Sequence, residues 1–191
     1  MKKLLVMAAV MLASVGAYAQ HAVGSFTLQP KVGMNIANLT DADDADARIG
    51  FVGGLETEYQ ATDIFSLSAG VLYSMQGCKY DNDKVKTTSK LDYINIPIMA
   101  NVYVAKGLAV KLGVQPAFNV NSEVKVSGGK YSTSADVDAK SFDFSIPVGI
   151  SYEYSNVVLD ARYNWGLTKV VDGSDSKNSV FQITLGYKFD L

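Results

Sequence analysis

Histidine and cysteine are almost absent from this chain. Its 191 residues contain one histidine, His21, and one cysteine, Cys78. A single thiol cannot form an intrachain disulfide, and one histidine with one cysteine is too few for a zinc cluster. Because His21 also lies outside every strand predicted below, no Ser-His-Asp or Asp-His site can form within those strands. These absences predict a protein that is not an enzyme and that uses no cofactor or metal.

Long apolar runs and a basic stripe are lacking as well. No segment of the domain approaches the roughly 20 apolar residues of a transmembrane helix. The formal net charge is -2, and no cluster of Lys and Arg predicts a nucleic-acid partner. The short apolar run from Leu4 to Val15 follows two lysines and precedes Ala17-Tyr18-Ala19, which is typical of a signal peptidase site. We therefore predict a signal peptide over residues 1–19 and one domain over residues 20–191.

Acidic residues gather in one short stretch, LTDADDADAR. Oxygen ligands at such spacing can hold calcium, but the stretch lacks the glycine and the distal glutamate of an EF-hand loop. We interpret it as a solvated acidic loop. Its aspartates are Asp41, Asp43, Asp44 and Asp46.

The sequence is rich in alternation with a period of two. In SFDFSIPVGISYEY, from Ser141 to Tyr154, every second residue is apolar or aromatic and those between are mostly small or polar. This period indicates an extended strand. Seven more segments show it: Phe26 to Ile36, Ile49 to Tyr59, Phe65 to Gln76, Leu91 to Val104, Leu108 to Asn121, Val157 to Leu167 and Val180 to Phe189. We predict eight strands, with bulges at Pro30, Pro97, Pro116 and Pro147, because proline cannot donate to a ladder.

The connections between these strands alternate in length. The short ones span 60–64, 105–107 and 155–156, and the long polar ones span 37–48, 77–90, 122–140 and 168–179. Short periplasmic turns with long outer loops are typical of outer-membrane barrels. The pattern predicts an all-β fold, an eight-stranded antiparallel up-and-down transmembrane β-barrel in the outer membrane, with both termini in the periplasm.

The long connection 122–140 has two interpretations. Val124 and Val126 alternate with polar residues before Gly128-Gly129, so two strands could continue beyond the membrane as a hairpin. Such a hairpin would offer an open edge for partner pairing. A simple solvated protrusion is the interpretation that we favour from sequence.

Aromatic residues on the apolar faces predict which surface faces lipid. They concentrate at strand ends, with aliphatic residues between them, and two aromatic girdles around an aliphatic band match a bilayer. The predicted girdle at the short turns comprises Phe26, Tyr59, Phe65, Tyr152, Tyr154, Tyr187 and Phe189. The predicted girdle at the long loops comprises Phe51, Tyr73, Phe118, Phe142, Phe144, Tyr163, Trp165 and Phe181. A secreted soluble barrel of lipocalin type, with an apolar lumen, is the alternative, but the chain lacks an early Gly-x-Trp signature.

The opposite faces carry small residues and charges. The interior of an eight-stranded barrel is filled by side chains, and unpaired buried charge is costly. We therefore predict a paired lumen charge network of Lys31, Glu56, Glu58, Lys111, Asp160, Arg162 and Lys188. Such a network would plug the barrel, although a narrow channel for ions or small solutes stays open as an alternative function.

Three stretches resemble the PorT-like family of small outer-membrane barrels from Bacteroidetes-type bacteria. They are GFVGGLETEYQATDIFSLSAGVLYSMQG, LDYINIPIMANVYV and ITLGYKF. The resemblance spans nearly the whole predicted domain and implies an outer-membrane barrel. Its members range from uncharacterised surface barrels to the PorT protein implicated in protein secretion, so it transfers no functional residue.

These observations together predict a surface or envelope interaction protein. Loops on a rigid scaffold are where binding usually resides. The expected partners are outer-membrane lipid and lipopolysaccharide, together with envelope or secretion proteins, and the barrel should be stable as a monomer.

Overall fold

The structure is a computed structural model that describes residues 21–40, 45–82, 85–128, 131–136, 139–170 and 175–191. Within them it contains eleven β-strands. They are β1 (Phe26–Leu39), β2 (Asp46–Thr62), β3 (Phe65–Asn82), β4 (Val85–Asn95), β5 (Ile98–Ala105), β6 (Leu108–Gly128), β7 (Tyr131–Asp136), β8 (Phe142–Tyr154), β9 (Val157–Lys169), β10 (Lys177–Tyr187) and β11 (Phe189–Asp190). Its described segments include no helix long and apolar enough to span a bilayer. The predicted signal peptide lies outside the described residues.

The strands form one antiparallel sheet that closes on itself. Neighbours around the ring are β1, β2, β3, β4, β6, β8, β9 and β10, and β10 pairs with β1. β5 continues the line of β4, β11 continues that of β10, and β7 pairs with the end of β6 outside the ring. The predicted eight-stranded up-and-down barrel is therefore confirmed.

Tight turns define one end of the barrel, which we call the short-turn end. Ser155 and Asn156 join β8 to β9 with φ angles of 46° and 70°. Positive φ at both positions suits a two-residue hairpin whose twist matches its strands. Gly107, with a φ of 74°, lies in the turn between β5 and β6. The opposite end is called the long-loop end.

Alternation sorts the side chains between an outer surface and a lumen. Along β9, Leu159 and Tyr163 are exposed on the outer surface, whereas Asp160 and Arg162 are buried inside. A lipocalin-type barrel requires the opposite arrangement, so that alternative is wrong. In a bilayer the apolar wall contacts acyl chains, and the closed ladder pairs the backbone groups that lipid cannot solvate.

The four prolines coincide with ladder interruptions rather than with the predicted bulges. Pro97 separates β4 from β5, yet the register with β6 is unchanged across it. Pro30 lies beside the gap between β10 and β11, and Pro147 lies beside a gap in the β6–β8 pairing. Pro116 faces the β4–β5 break, where its carbonyl oxygen accepts from Ile96 N. A missing N–H removes a bond without requiring an extra residue, which explains why the register holds.

The ring becomes asymmetric at the long-loop end. β3 and β4 pair continuously from Leu72 with Asn95 to Asn82 with Val85, and β6 continues to Gly128. Much of the predicted loop 77–90 is therefore strand. Of the two interpretations of 122–140, the simple protrusion that we favoured is wrong, and the hairpin is present as the end of β6 and β7. A small apolar core lies nearby; it comprises Leu91, Tyr93, Ala117 and Val170.

Candidate functional site

A cluster of five charged side chains fills the lumen towards the short-turn end. It is called the central cluster and comprises Lys31, Glu56, Lys111, Asp160 and Arg162. The five residues come from β1, β2, β6 and β9, and each is at most 2% exposed. Alternation along these strands places all five on inward positions.

The two carboxylates of the central cluster bridge its three cations. Asp160 accepts hydrogen bonds at 2.8 Å from Arg162 Nε and Nη2 and at 2.9 Å from Lys111 Nζ. Glu56 accepts from Lys31 Nζ at 3.0 Å, and from Lys111 Nζ and Arg162 Nη2 at 3.3 Å. Such multidentate contacts between ionised groups are strong, so the cluster ties opposite sides of the barrel together.

Gly149 makes room for Arg162 within this cluster. A Cβ atom at Gly149 would lie 2.7 Å from Arg162 Cβ and 2.5 Å from the Ala161 carbonyl oxygen. Real Cβ contacts are not this short, and the nearest atom is backbone. The glycine on β8 therefore lets the backbone and Cβ of Arg162 on β9 approach closely.

A second cluster lies at the short-turn mouth and is called the mouth cluster. Lys188 Nζ is 3.0 Å from Glu58 Oε2 and 2.9 Å from Glu153 Oε2. Tyr103 donates to Glu58 at 2.5 Å. The mouth cluster comprises His21, Glu58, Tyr103, Glu153, Lys188 and Asp190. Two predicted network residues, Glu58 and Lys188, are thus in this layer, separate from the other five.

Three further buried charges were not among the predicted network residues. Glu153 lies on the same alternating face as Ser151 and Gly149, so parity along β8 was sufficient to find it. Arg48 donates to the Gln76 carbonyl oxygen and lies 3.7 Å from Asp92 at the long-loop end. These three are buried. Arg48 shares the inward parity of Gly50 and Val52 along β2, but it was assigned to the predicted loop 37–48, because the strand was expected to begin at Ile49.

The central cluster leaves little room for conduction. Its three cations and two carboxylates hold one another at hydrogen-bond distance across a lumen that eight strands make narrow. A solute would have to break several of these contacts, and separating buried paired charges is costly. The arrangement is that of a plug.

The predicted girdle aromatics point away from the lumen. Thirteen are exposed, and Phe65 and Phe144 are half-buried. Phe26 and Tyr59 form a ring pair 4.7 Å apart on β1 and β2 at the short-turn end. Phe118 and Phe142 form another, 5.7 Å apart, at the long-loop end.

At the long-loop end, four strands extend beyond the ring and form what we call the protruding sheet. It comprises residues 77–82 of β3, 85–92 of β4, 119–128 of β6 and 131–136 of β7. One face carries the row Lys79, Thr88, Lys125 and Ser134. Lys90 pairs with Glu123 at 3.2 Å on that face. Polar residues thus replace the apolar ones of the barrel wall, which indicates water rather than lipid around this sheet.

The remaining candidate residues show no catalytic or metal-binding geometry. Both ring nitrogens of His21 lie against carboxylate oxygens, so neither is available to activate a hydroxyl. Cys78 is a buried free thiol. No group of three metal-ligating side chains occurs in the described part of the chain. Asp41, Asp43 and Asp44 lie outside it, and Asp46 begins β2.

Two solved structures share this fold at low sequence identity. Ail, the attachment invasion locus protein of Yersinia pestis, is 16% identical with a TM-score of 0.53, over 88% of this chain and 100% of that chain. The Neisserial surface protein A, NspA, is 18% identical with a TM-score of 0.54, over 86% of this chain and 97% of that chain. No curated protein matches the sequence.

A family model reaches further than these structural similarities. The model described as outer membrane protein beta-barrel domain matches residues 18–172. That range includes most of the ring and the protruding sheet. The chain therefore belongs to the outer membrane protein beta-barrel domain family.

Proposed function

We propose that this protein is a non-enzymatic surface interaction protein, in which the plugged barrel anchors the protruding sheet outside the outer membrane. The observation that carries the proposal is the open edge of β7. Among the described strands, β7 pairs with β6 alone. Its other edge therefore presents backbone N–H and C=O groups in a row.

The sequence of β7 gives this edge little protection beyond one charge, Asp136 at the end of the strand. Natural sheets guard exposed edges with lysine, proline, bulges or covering loops. β7, YSTSAD, contains neither lysine nor proline, its pairing with β6 shows no register shift, and Thr133 to Asp136 are exposed. An extended segment of a partner protein can add to such an edge through main-chain hydrogen bonds.

The rest of the molecule suits an anchor. The central cluster ties the wall together, and the apolar outer surface contacts outer-membrane lipid and lipopolysaccharide. We assign the short-turn end and both termini to the periplasm, because short periplasmic turns and longer outer loops are the rule in such barrels. The sheet then stands at the cell surface. The name of one structural neighbour, attachment invasion locus protein, describes a surface role of this kind.

A photo-crosslinking amino acid placed at Thr133 tests the edge in whole cells. We expect adducts with a discrete envelope or extracellular protein, because Thr133 is exposed on β7. The matched control is Lys106, in the turn between β5 and β6 at the opposite end. Identical adducts from both positions, or none from Thr133, would contradict the proposal.

A PorT-like part in protein secretion is the specific version of this function that the sequence resemblance suggests. In that version the partner of β7 is a component of the export assembly. Deleting the gene should then lower the amount of exported protein at the cell surface. If export is unchanged in the deletion strain, while cells that carry the protein still form the Thr133 adduct, the secretion version is wrong and the protein is a free surface protein.

The plug separates this function from that of a channel. Purified protein in a planar bilayer should show no steady large openings, because the central cluster closes the lumen. Steady conductance in the unmodified protein would contradict the plugged anchor and favour the narrow channel.

A further inference from the structure

We propose that residues 21–25 form a strap across the short-turn mouth of the barrel, held by His21 when its ring is protonated and released when it is neutral. This inference concerns the end opposite to the protruding sheet. It therefore stands apart from the proposed function.

Backbone contacts fix one side of the strap to β2. Gly24 N donates to the Gln60 carbonyl oxygen at 2.7 Å, and Gln60 N donates to that of Ser25 at 3.0 Å. The Ser25 N–H and hydroxyl both bond the Ala22 carbonyl oxygen, at 3.0 and 2.6 Å. Gly24 has a φ of 87°, a left-handed conformation that glycine adopts at little cost. These contacts turn the chain back before β1 begins.

Side-chain contacts fix the other side. His21 Nε2 lies 2.8 Å from Glu153 Oε1 on β8, and His21 Nδ1 lies 2.6 Å from Asp190 Oδ1 on β11. The His21 side chain is only 6% exposed. Since β2 and β8 are separated by β3, β4 and β6 along the ring, the strap spans the mouth rather than following its rim.

Only a protonated ring can make both side-chain contacts. A neutral imidazole carries one N–H and one acceptor nitrogen. The acceptor nitrogen would face a carboxylate oxygen, so one contact would become repulsive. The imidazolium donates at both nitrogens and compensates charge on both carboxylates. The docked strap is thus matched to the charged ring.

Other charged groups facing His21 modify this balance. Lys188, which contacts Glu153, Glu58 and Tyr103, opposes protonation of His21 through its own charge. Burial opposes it too. The hydrogen bond with Glu153 is the largest cause in favour of protonation, the charge of Glu153 and the hydrogen bond with Asp190 add to it, and the net pKa of His21 is raised above its ordinary value of 6.5.

The raised pKa of His21 determines how docking of the strap depends on pH. A group whose pKa is higher when docked than when free stabilises the docked form fully below the free value. That stabilisation is lost as the pH rises through the docked value. The strap is therefore closed in mildly acidic surroundings and is released at higher pH. Release uncovers Glu153 and Lys188 at the mouth.

The protein's single histidine makes the test direct. In the mature chain in lipid nanodiscs, nuclear magnetic resonance of the labelled imidazole should give a pKa above 6.5, and Glu153→Gln should lower it. A spin label on Ala22→Cys, in a Cys78→Ser background, should gain mobility over the same pH range. A His21 pKa at or below 6.5, or a label mobility that does not change with pH in this range, would overturn the proposal.

Two further variants guard against indirect effects. His21→Gln should make the label mobile at every pH while the barrel remains folded, since His21 lies outside the strands. The mutation Asp136→Asn, on β7 at the opposite end, should leave the pH response of the label unchanged. A pH response that persists in His21→Gln would assign the switch to another group and refute the strap.

Discussion

The barrel wall and the protruding sheet share three strands, but the wall is surrounded by lipid and the sheet by water. In β6, Leu112 and Phe118 are exposed on the apolar wall. Lys125 lies further along the same strand, in the protruding sheet, where it pairs with Thr88 of β4. Backbone pairing passes from one region to the other without ending. The lesson is that strand length and membrane thickness are set separately: the side chains, and not the ladder, mark where lipid stops.

The two regions also differ in the interactions that stabilise them. The wall is a closed ring with a buried ion cluster inside it, so every strand has two neighbours. Among the described strands, the protruding sheet ends at β7, and its pair Lys90 with Glu123 is partly exposed. We expect the wall to unfold as one unit and the protruding sheet to open locally.

Removing a carboxylate from the central cluster should have the largest effect. Asp160→Asn leaves three buried cations facing one carboxylate, and breaking a buried pair in this way typically costs about 3–5 kcal/mol. Urea unfolding in lipid vesicles, followed by fluorescence of the only tryptophan, Trp165, measures the loss. Asp175→Asn is the control, because Asp175 is 78% exposed in its pair with Lys169; that change should not shift the transition. Equal transitions for both variants would show that the plug does not stabilise the wall.

Placing a charge on the outer surface should have the next largest effect. Val148 is exposed among the aliphatic residues of the wall, and Val148→Arg should cost about 2–4 kcal/mol if this position faces the middle of the bilayer. Val126, 39% exposed on the protruding sheet, provides the matched comparison. Val126→Arg should stay within about 0.5 kcal/mol, as for most surface changes. Similar costs at both sites would mean that lipid does not end between them.

Much of the wall was predictable because alternation is a local signal. The strand start at Phe26 and the whole of β8 after Ser141 follow from period two alone. Parity also places Lys31, Glu56, Lys111, Asp160 and Arg162 in the lumen. It does not say which carboxylate meets which cation, since that depends on register and on the tilt of the ring.

The protruding sheet was harder to predict because one of its faces is polar and the other has apolar alternation only in the short stretch of Val124 and Val126. Lys79, Thr88 and Lys125 carry no apolar alternation, so the extensions of β3 and β4 resemble a loop in sequence. His21 could not be placed either, because its partners Glu153 and Asp190 are more than 130 residues away in sequence. The proline positions predicted where the ladder is interrupted, but not that the interruptions are missing hydrogen bonds rather than bulges.

Breaking the edge hairpin should have the smallest effect on global stability. Successive residues of an antiparallel strand point their N–H groups to opposite sides, so of Thr133 and Ser134 one points to β6 and the other to the open edge. Proline at either position should change the global free energy of unfolding by less than about 0.5 kcal/mol, because the protruding sheet opens independently of the ring. Amide hydrogen exchange in β6 then distinguishes the two variants. Only the proline that removes a β6–β7 bond should lower protection of Glu123 to Ser127, while the other should abolish partner pairing at the edge and leave that protection intact. A cooperative loss of protection through Leu108 to Gln115 in either variant would show that wall and sheet are one unit, and the separation between them would fail.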